Sequence, residues 1–564
     1  MMKIRVLLIV VISFIFSNNV FAEQLPTAQE RKISDQQLIY QQERQKATEE
    51  ALSTKTPNVS LMSPLQKIQT INFPEEEFCF PIQHVELLER DAFPITIPLN
   101  TLAKQAEGRC LGGKGLNLLM TELQNQLISY GYITTRVLAP QQDLNSGTFT
   151  LLLLKGTVRN IFYSSDSDTR ANLTSNMPLK KGDLLNLRAI EQGLENFQRI
   201  PTASAQIQLL PGEEAGETDI VIQRQQSKYW RIGLSLDNSG SKSTGRYQGG
   251  LTLYLDNPLG LSDSFYVSGG HNLEGVDDYG SKNYLFAYSV PFGYWLFDAS
   301  MYANTYNQKI SDVVDYQYKG RSKYYNFQIS RVLHRNEAQK TILSYGINLR
   351  ESHNFINDTE IEIQRRKTSN WRIGLQHSHY FDNIVVYAGA SYQKGVRWFG
   401  AQKAFEEKSE IGSALTDIIN ANLSVYVPFK LGNQNFGYSL DSQGQYTRRN
   451  KLTAPDRFSI GSRWTVRGFD GEEMLSADNG WFIRNDLIWY TPLNQQLYLG
   501  LDAGGVFGGN SENLTGKKLV GSAIGIRGRH FGLYYDMFAG VPLHKPDKFN
   551  TNHLTLGFYL NWTY

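Results

Sequence analysis

The chain has 564 residues with 56 Lys and Arg against 54 Asp and Glu, a formal net charge of +2 that offers no broad basic surface, so nucleic acid is not an expected partner. A mean hydropathy of -0.37, with no apolar stretch of about 18 residues beyond the extreme N-terminus, excludes a helical membrane protein. Aromatics at 12%, with 31 Tyr, 29 Phe and 48 Gly but only 2 Cys, suit an exported all-β chain, and the length calls for several domains.

Lys3 and Arg5 precede an apolar run over residues 6–16, and Val20-Phe21-Ala22 supplies a cleavage signal, so residues 1–22 read as a signal peptide. Ser17, Asn18 and Asn19 end the run short of the roughly 20 apolar residues a membrane span needs. Residues 23–55 contain a stretch rich in Gln, Glu, Lys and Ala, free of Gly and Pro from Thr27 to Leu52, which predicts a helix of about 25 residues. Its apolar residues Ile33, Leu38, Ile39 and Tyr40 form only a short patch, so it belongs in polar surroundings, as a solvated stalk or as a docked element. Residues 56–75, broken by Pro57, Pro64 and Pro74, read as an extended linker that tethers the helix.

Residues 76–156 read strand, helix, helix, strand, strand, with Leu116, Leu119, Met120, Leu123, Leu127 and Ile128 on one face of the second helix. Residues 157–227 form a second α+β unit: the strand VRNIFYS, the helix LRAIEQGLENFQRI, then two strands around the turn Pro211-Gly212. Cys79 on the first strand and Cys110 after the first helix predict a disulfide, with a closed loop of about 32 residues contributing roughly 3.5 kcal/mol through chain entropy.

From residue 228 to 564 the texture changes to alternating segments rich in Tyr and Gly. In YWRIGLSLDNSG, Trp230, Ile232, Leu234 and Leu236 alternate with Arg231, Gly233, Ser235 and Asp237, the two-faced period of a transmembrane barrel strand. The last segment alternates Leu554, Leu556, Phe558, Leu560, Trp562 and Tyr564 with small or polar residues, an edge that would aggregate unless closed against a first strand. Its Phe558, Leu560, Trp562 and terminal Tyr564 resemble the sorting signal of bacterial outer-membrane proteins, which implies outer-membrane lipids and the barrel-assembly machinery as partners. The 337 residues fit sixteen strands at about 21 residues each, but twelve or fourteen fit too. VPFGY and RGRHFG read as short hairpins, and residues 401–417 and 450–479 as long loops.

The second long loop contains GSRWTVRGFDGE, residues 461–472. Val466-Arg467-Gly468-Phe469 resembles the signature of the outer-membrane insertase and two-partner secretion transporter superfamily, as do LDNPLGLSD after the first barrel strand and LLPGEEAGETDI at residues 209–220. The layout is similar to that of the two-partner secretion transporters: an N-terminal plug helix, two small α+β POTRA domains, and a C-terminal 16-stranded antiparallel transmembrane β-barrel over residues 228–564. The resemblance implies that the loop folds into the lumen and that the helix plugs the pore. It further implies that Arg467 pairs with an acidic wall residue, Asp502 matching the family position best and Asp486 being the alternative. The implied function is recognition of a large exoprotein in the periplasm and its unfolded translocation to the surface of a Gram-negative cell. General similarity leans to the contact-dependent growth inhibition type.

No G-x-S-x-G, H-E-x-x-H or phosphate-loop motif occurs and the 9 His are scattered, so neither an enzyme, a cofactor nor a metal site is expected. An insertase of the same superfamily would carry more small domains and lack the plug helix. A porin has no use for residues 76–227, and a soluble β-sandwich is disfavoured by the alternating terminal strand.

Overall fold

The computed structural model describes residues 28–53, 58–61, 70–274, 279–310, 315–409, 411–448, 451–512 and 514–564, with the backbone alone for 28–34 and 510. The expected signal peptide lies outside the described residues, as does half of the linker.

Sixteen long strands, each antiparallel to its neighbours, close into a barrel that runs from Trp230–Asp237 to Thr555–Thr563. A two-residue strand, Thr359–Glu360, merely extends one hairpin. The last strand meets the first from Tyr559↔Asp237 to Thr563↔Gly233, so every strand edge is paired, as a hydrocarbon environment demands. Alternation decides which face looks out. Trp230, Leu234, Leu236, Leu499, Leu501 and Leu556 are exposed on the outer, lipid-facing wall, whereas Asp256 and Asp502 are buried inside. Of the terminal row, Trp562 and Tyr564 are exposed and Phe558 and Leu560 half-buried. Tyr564 rests 5.9 Å from the Trp230 ring, with Lys228 Nζ 4.1 Å above its own.

The chain leaves the barrel interior through two small domains. In the first, His84–Leu88 runs parallel to Thr148–Leu154, which pairs on its other side with Arg136–Leu138. The helix Gly113–Ser129 packs Leu119, Leu123 and Leu127, all fully buried, onto this sheet. The opening strand differs from expectation. It splits at Gln83 into Phe80–Ile82 and His84–Leu88, because the N–H groups of both Gln83 and His84 turn to the Gly147 carbonyl. The first helix is short, Leu99–Ala103 plus one 3-10 turn, ended by Gly108 at φ 77. Cys79 and Cys110 form a disulfide across the small sheet made by Phe80–Ile82 and Arg109–Leu111.

The main helix of this domain has Gly112 at its N-cap and borrows its cap from a distance. Glu76 accepts hydrogen bonds from the N–H groups of Gly115, Lys114 and Gly112 at 2.8, 2.9 and 3.0 Å. These donors, Gly115 first, hold its carboxyl below the usual range, so the cap is charged and stabilising above the ordinary glutamate value and fades as pH falls through the lower folded value. Glu76→Gln is therefore expected to speed amide exchange in the first turn of Gly113–Ser129 a few-fold at neutral pH. The two proteins should converge in acid; a difference that persists unchanged there would mean the charge is not the cause.

The second domain pairs Thr157–Tyr163 in parallel, and Ala203–Pro211 antiparallel, with the central Glu217–Gln226. Its helix Leu187–Gln198 buries Ile190, Leu194 and Phe197 against Ile220 and Ile222. The opposite face of that helix packs on the barrel rim. Asn196 donates to the Gly293 carbonyl at 2.8 Å, and Arg199 donates to the Ser262 and Ser289 carbonyls at 3.0 and 3.1 Å. LDNPLGLSD belongs to this joint, and it follows the second barrel strand, Gln248–Asp256, not the first. The chain has already turned back once before it, between Asp237 and Gln248. Asp256 there binds Arg231 at 2.7 and 3.0 Å and Thr202 at 2.9 Å, tying domain to barrel.

Candidate functional site

The lumen is filled by two elements that are not part of its wall. One is the helix Ala28–Leu52. Leu38, Ile39 and Tyr40 of its short apolar patch are buried: Ile39 and Tyr40 pack with Met474 and Trp464, the Tyr40 and Trp464 rings 5.6 Å apart. Between this patch and Leu52 at its C-terminal end the helix makes polar contacts, which suits a helix without a wide apolar face. The Tyr40 hydroxyl donates to the Ser239 carbonyl and Gln37 donates to Ser243 at 2.9 Å, both in the loop that joins the first two barrel strands, and Lys46 donates to Gln443 on the wall at 3.0 Å. Asp35 lies 3.7 Å from Arg366 on the wall and 3.5 Å from Arg457 in the long loop, and Glu43 accepts from Ser459. At its C-terminal end Leu52 sits among Tyr254, Tyr266, Leu285 and Tyr302.

The other element is the loop between the strands Gln434–Thr447 and Asn479–Tyr490. It folds inward as a hairpin, Phe458–Ile460 paired with Leu475–Ala477, whose tip carries the motif. Val466 and Phe469 are buried against Val506, Leu519 and Phe549. Arg467, between them, is 2% exposed. Its guanidinium donates through Nε to Asp502 Oδ2 and through Nη2 to Asp502 Oδ1, both at 2.7 Å, and its own N–H donates to Oδ2 at 2.9 Å. The same Nη2 lies 2.6 Å from Asp486 Oδ1. Asp486 in turn faces Arg527 at 3.4 Å, and Arg484 stands 3.9 Å from Asp502. The sequence left a choice between Asp502 and Asp486. The structure brings both to Arg467, with the planar fork on the fully buried Asp502.

Sequence reasoning missed what receives the loop. Four wall glycines form a depression beneath it. A Cβ on Gly521 would lie 1.9 Å from the Arg467 carbonyl oxygen, one on Gly540 2.8 Å from Gly468 N, and one on Gly500 2.5 Å from Arg467 Nη2. One on Gly504 would lie 3.0 Å from both Ile460 Cγ2 and Val466 Cγ2. Gly468 itself has φ 101, and a Cβ there would meet the Val541 carbonyl oxygen at 2.4 Å. The only signal in the sequence was a concentration of glycine in strands that are otherwise well patterned.

Comparison with known proteins decides the family. Residues 216–528 match the family described as haemolysin secretion/activation protein ShlB/FhaC/HecB. The chain belongs to that family. Residues 80–156 match a POTRA domain of the ShlB type and residues 157–211 a further POTRA domain. The outer membrane transporter CdiB-2 of Burkholderia pseudomallei (strain 1026b) is 34% identical over 568 residues, covering 96% of this chain and 96% of its own. CdiB from Escherichia coli has a similar solved structure, with TM-score 0.85 at 26% identity over 94% of this chain and 99% of that one. CdiB from Acinetobacter baumannii is similar at TM-score 0.81 and 29% identity over the same shares. The chain is thus an outer-membrane transporter of two-partner secretion, which moves an exoprotein partner across the membrane and holds its POTRA domains in the periplasm. The family is one of transporters rather than enzymes.

Proposed function

We propose that the exported partner is a large contact-dependent growth inhibition exoprotein and that it threads the barrel unfolded once helix and loop have yielded. The observation that carries this reading is a pore closed by removable parts: a polar helix joined to the barrel strands and loops by side-chain hydrogen bonds, and a hairpin whose tip is clasped by one buried arginine. The exposed edge strands of the two POTRA sheets, such as Ala203–Pro211, suit capture of an extended chain by backbone hydrogen bonds. Arg467 with Asp502 and Asp486 is the clasp of the loop, and Val466, Gly468 and Phe469 its seat. The apolar outer rows contact outer-membrane lipid, and the row from Phe558 to Tyr564 serves insertion by the barrel-assembly machinery. Folding of the partner outside supplies the drive. The proposed units are 23–55 for the plug, 56–75 for the linker, 76–156 and 157–227 for the POTRA domains and 228–564 for the barrel.

Planar-bilayer recording tests it. The full chain should give small, flickering currents, and a chain lacking residues 23–55 large and steady ones. Equal currents would remove the plug from the mechanism.

A further inference from the structure

The described part of the linker makes a contact that a mere tether does not need. The Val59 N–H donates to Glu195 Oε1 and the Leu61 N–H to Glu191 Oε1, each at 2.9 Å, while the Val59 carbonyl accepts from Arg335. Alternate N–H groups of an extended chain point the same way about 6.8 Å apart. Glu191 and Glu195 stand one turn apart on the helix Leu187–Gln198, about 6 Å along its axis, so the two spacings match. Only Val59 is half-buried, against the core of the second POTRA domain; Asn58, Ser60 and Leu61 are exposed. The slot therefore reads backbone and one apolar side chain.

The slot's own chemistry makes its occupant exchangeable. Glu195 also holds Arg335 at 2.8 Å and Lys340 at 2.6 Å, and Glu191 holds Arg188 at 2.8 Å and Arg335 at 3.3 Å. Both carboxylates are at most 1% exposed, yet each keeps a cation when the linker departs, so vacating the slot strands no unpaired charge. What an occupant adds is two N–H donors and one carbonyl acceptor. Any extended polypeptide carries those.

The slot also sits where it can restrain the plug. The seven residues from Ser53 to Val59 reach at most about 24 Å, whereas the helix Ala28–Leu52, with 25 residues, is about 37 Å long. With Val59 docked at the rim, the C-terminal end of the helix is held within about 24 Å of it.

We propose that the groove between Leu187–Gln198 and the barrel hairpin at Arg335 to Lys340 is a binding slot for extended polypeptide, occupied in cis by residues 58–61 and taken over by the exported chain, whose docking releases the plug. This rests on the reading of the protein as a plugged export pore. Exchange of like for like lets an unfolded cargo, and nothing folded, unlatch the pore.

The test uses the full chain in lipid bilayers with a spin label at Asn58→Cys, since Cys79 and Cys110 are disulfide-bonded. Val59→Pro with Leu61→Pro removes both donors and should raise the undocked fraction about tenfold for each, seen as a mobile label and more frequent large openings. Carboxymethylated lactalbumin, a permanently unfolded chain, should mobilise the label in the protein without prolines, and native lactalbumin should not. A label immobile despite both prolines, a mobile label with unchanged openings, or no response to the unfolded chain would each overturn the proposal. If the chain lacking residues 23–55 also fails to open, the plugged-pore reading falls with it; if that chain opens, only the slot is lost.

Discussion

Arg467→Ala is expected to unseat the motif loop and to cut export severely while leaving the barrel assembled. The side chain is nearly fully buried and supplies both the fork to Asp502 and the bridge to Asp486, so its removal leaves two carboxylates facing Arg484 and Arg527 at 3.9 and 3.4 Å only. Breaking one partner of a buried pair costs about 3–5 kcal/mol, more than a hundredfold in the ratio of seated to unseated loop. The two aspartates are not equivalent. Asp502 is fully buried and takes three hydrogen bonds from Arg467, whereas Asp486 meets Arg467 only as an ion pair and retains Arg527. Asp502→Ala should therefore approach Arg467→Ala, and Asp486→Ala should cost about 1 kcal/mol. Arg467→Lys keeps the charge but not the fork and should fall between. Protease protection of residues 461–474, read beside exoprotein secretion, gives the order. Protection that is unchanged in Arg467→Ala, or equal loss from both aspartates, would contradict it.

The same region shows what a sequence can and cannot carry. Alternation marks a lipid-facing row in Leu497, Leu499 and Leu501, because a strand with lipid on one side and water on the other repeats every two residues. The number of strands is not written in that period, since the chain length divides several ways, and it came from resemblance. Arg484 and Asp486 on one strand, and Gly500 and Asp502 on the next, are cross-strand neighbours facing the same lumen. Their order in sequence gives no reason to prefer one aspartate, and proximity in space gives both to Arg467. Nothing in the sequence singles out Glu191 and Glu195 on their helix, yet they are buried because that face meets barrel and linker, a contact set by residues 130 or more positions away. Helix Leu173–Asn176 was unannounced for a smaller reason: it is a single turn capped by the side chain of Asn172.

Gly521→Ala, a change of one methyl group in the wall, should act like the loss of Arg467. The new Cβ would stand 1.9 Å from the Arg467 carbonyl oxygen and 3.4 Å from Phe469 Cε2. Nonbonded contact needs about 3.5 Å, so the loop must retreat by about 1.5 Å. Its backbone cannot rotate away, because Gly468 lies against Val541 and Gly540 on the neighbouring strand. Asp502 sits beside Gly521 in register, so the retreat also stretches the 2.7 Å bonds of the fork past useful length. Clash and clasp are thus one interaction seen from two sides, and their losses should not add: the double variant Gly521→Ala, Arg467→Ala should secrete no worse than either single one. Gly444→Ala is the control, a strand glycine whose Cβ would find its nearest neighbour, the Gly480 carbonyl oxygen, at 3.7 Å. Normal secretion by Gly521→Ala would mean that the loop seats elsewhere during export; additive losses in the double variant would mean that depression and clasp hold it independently.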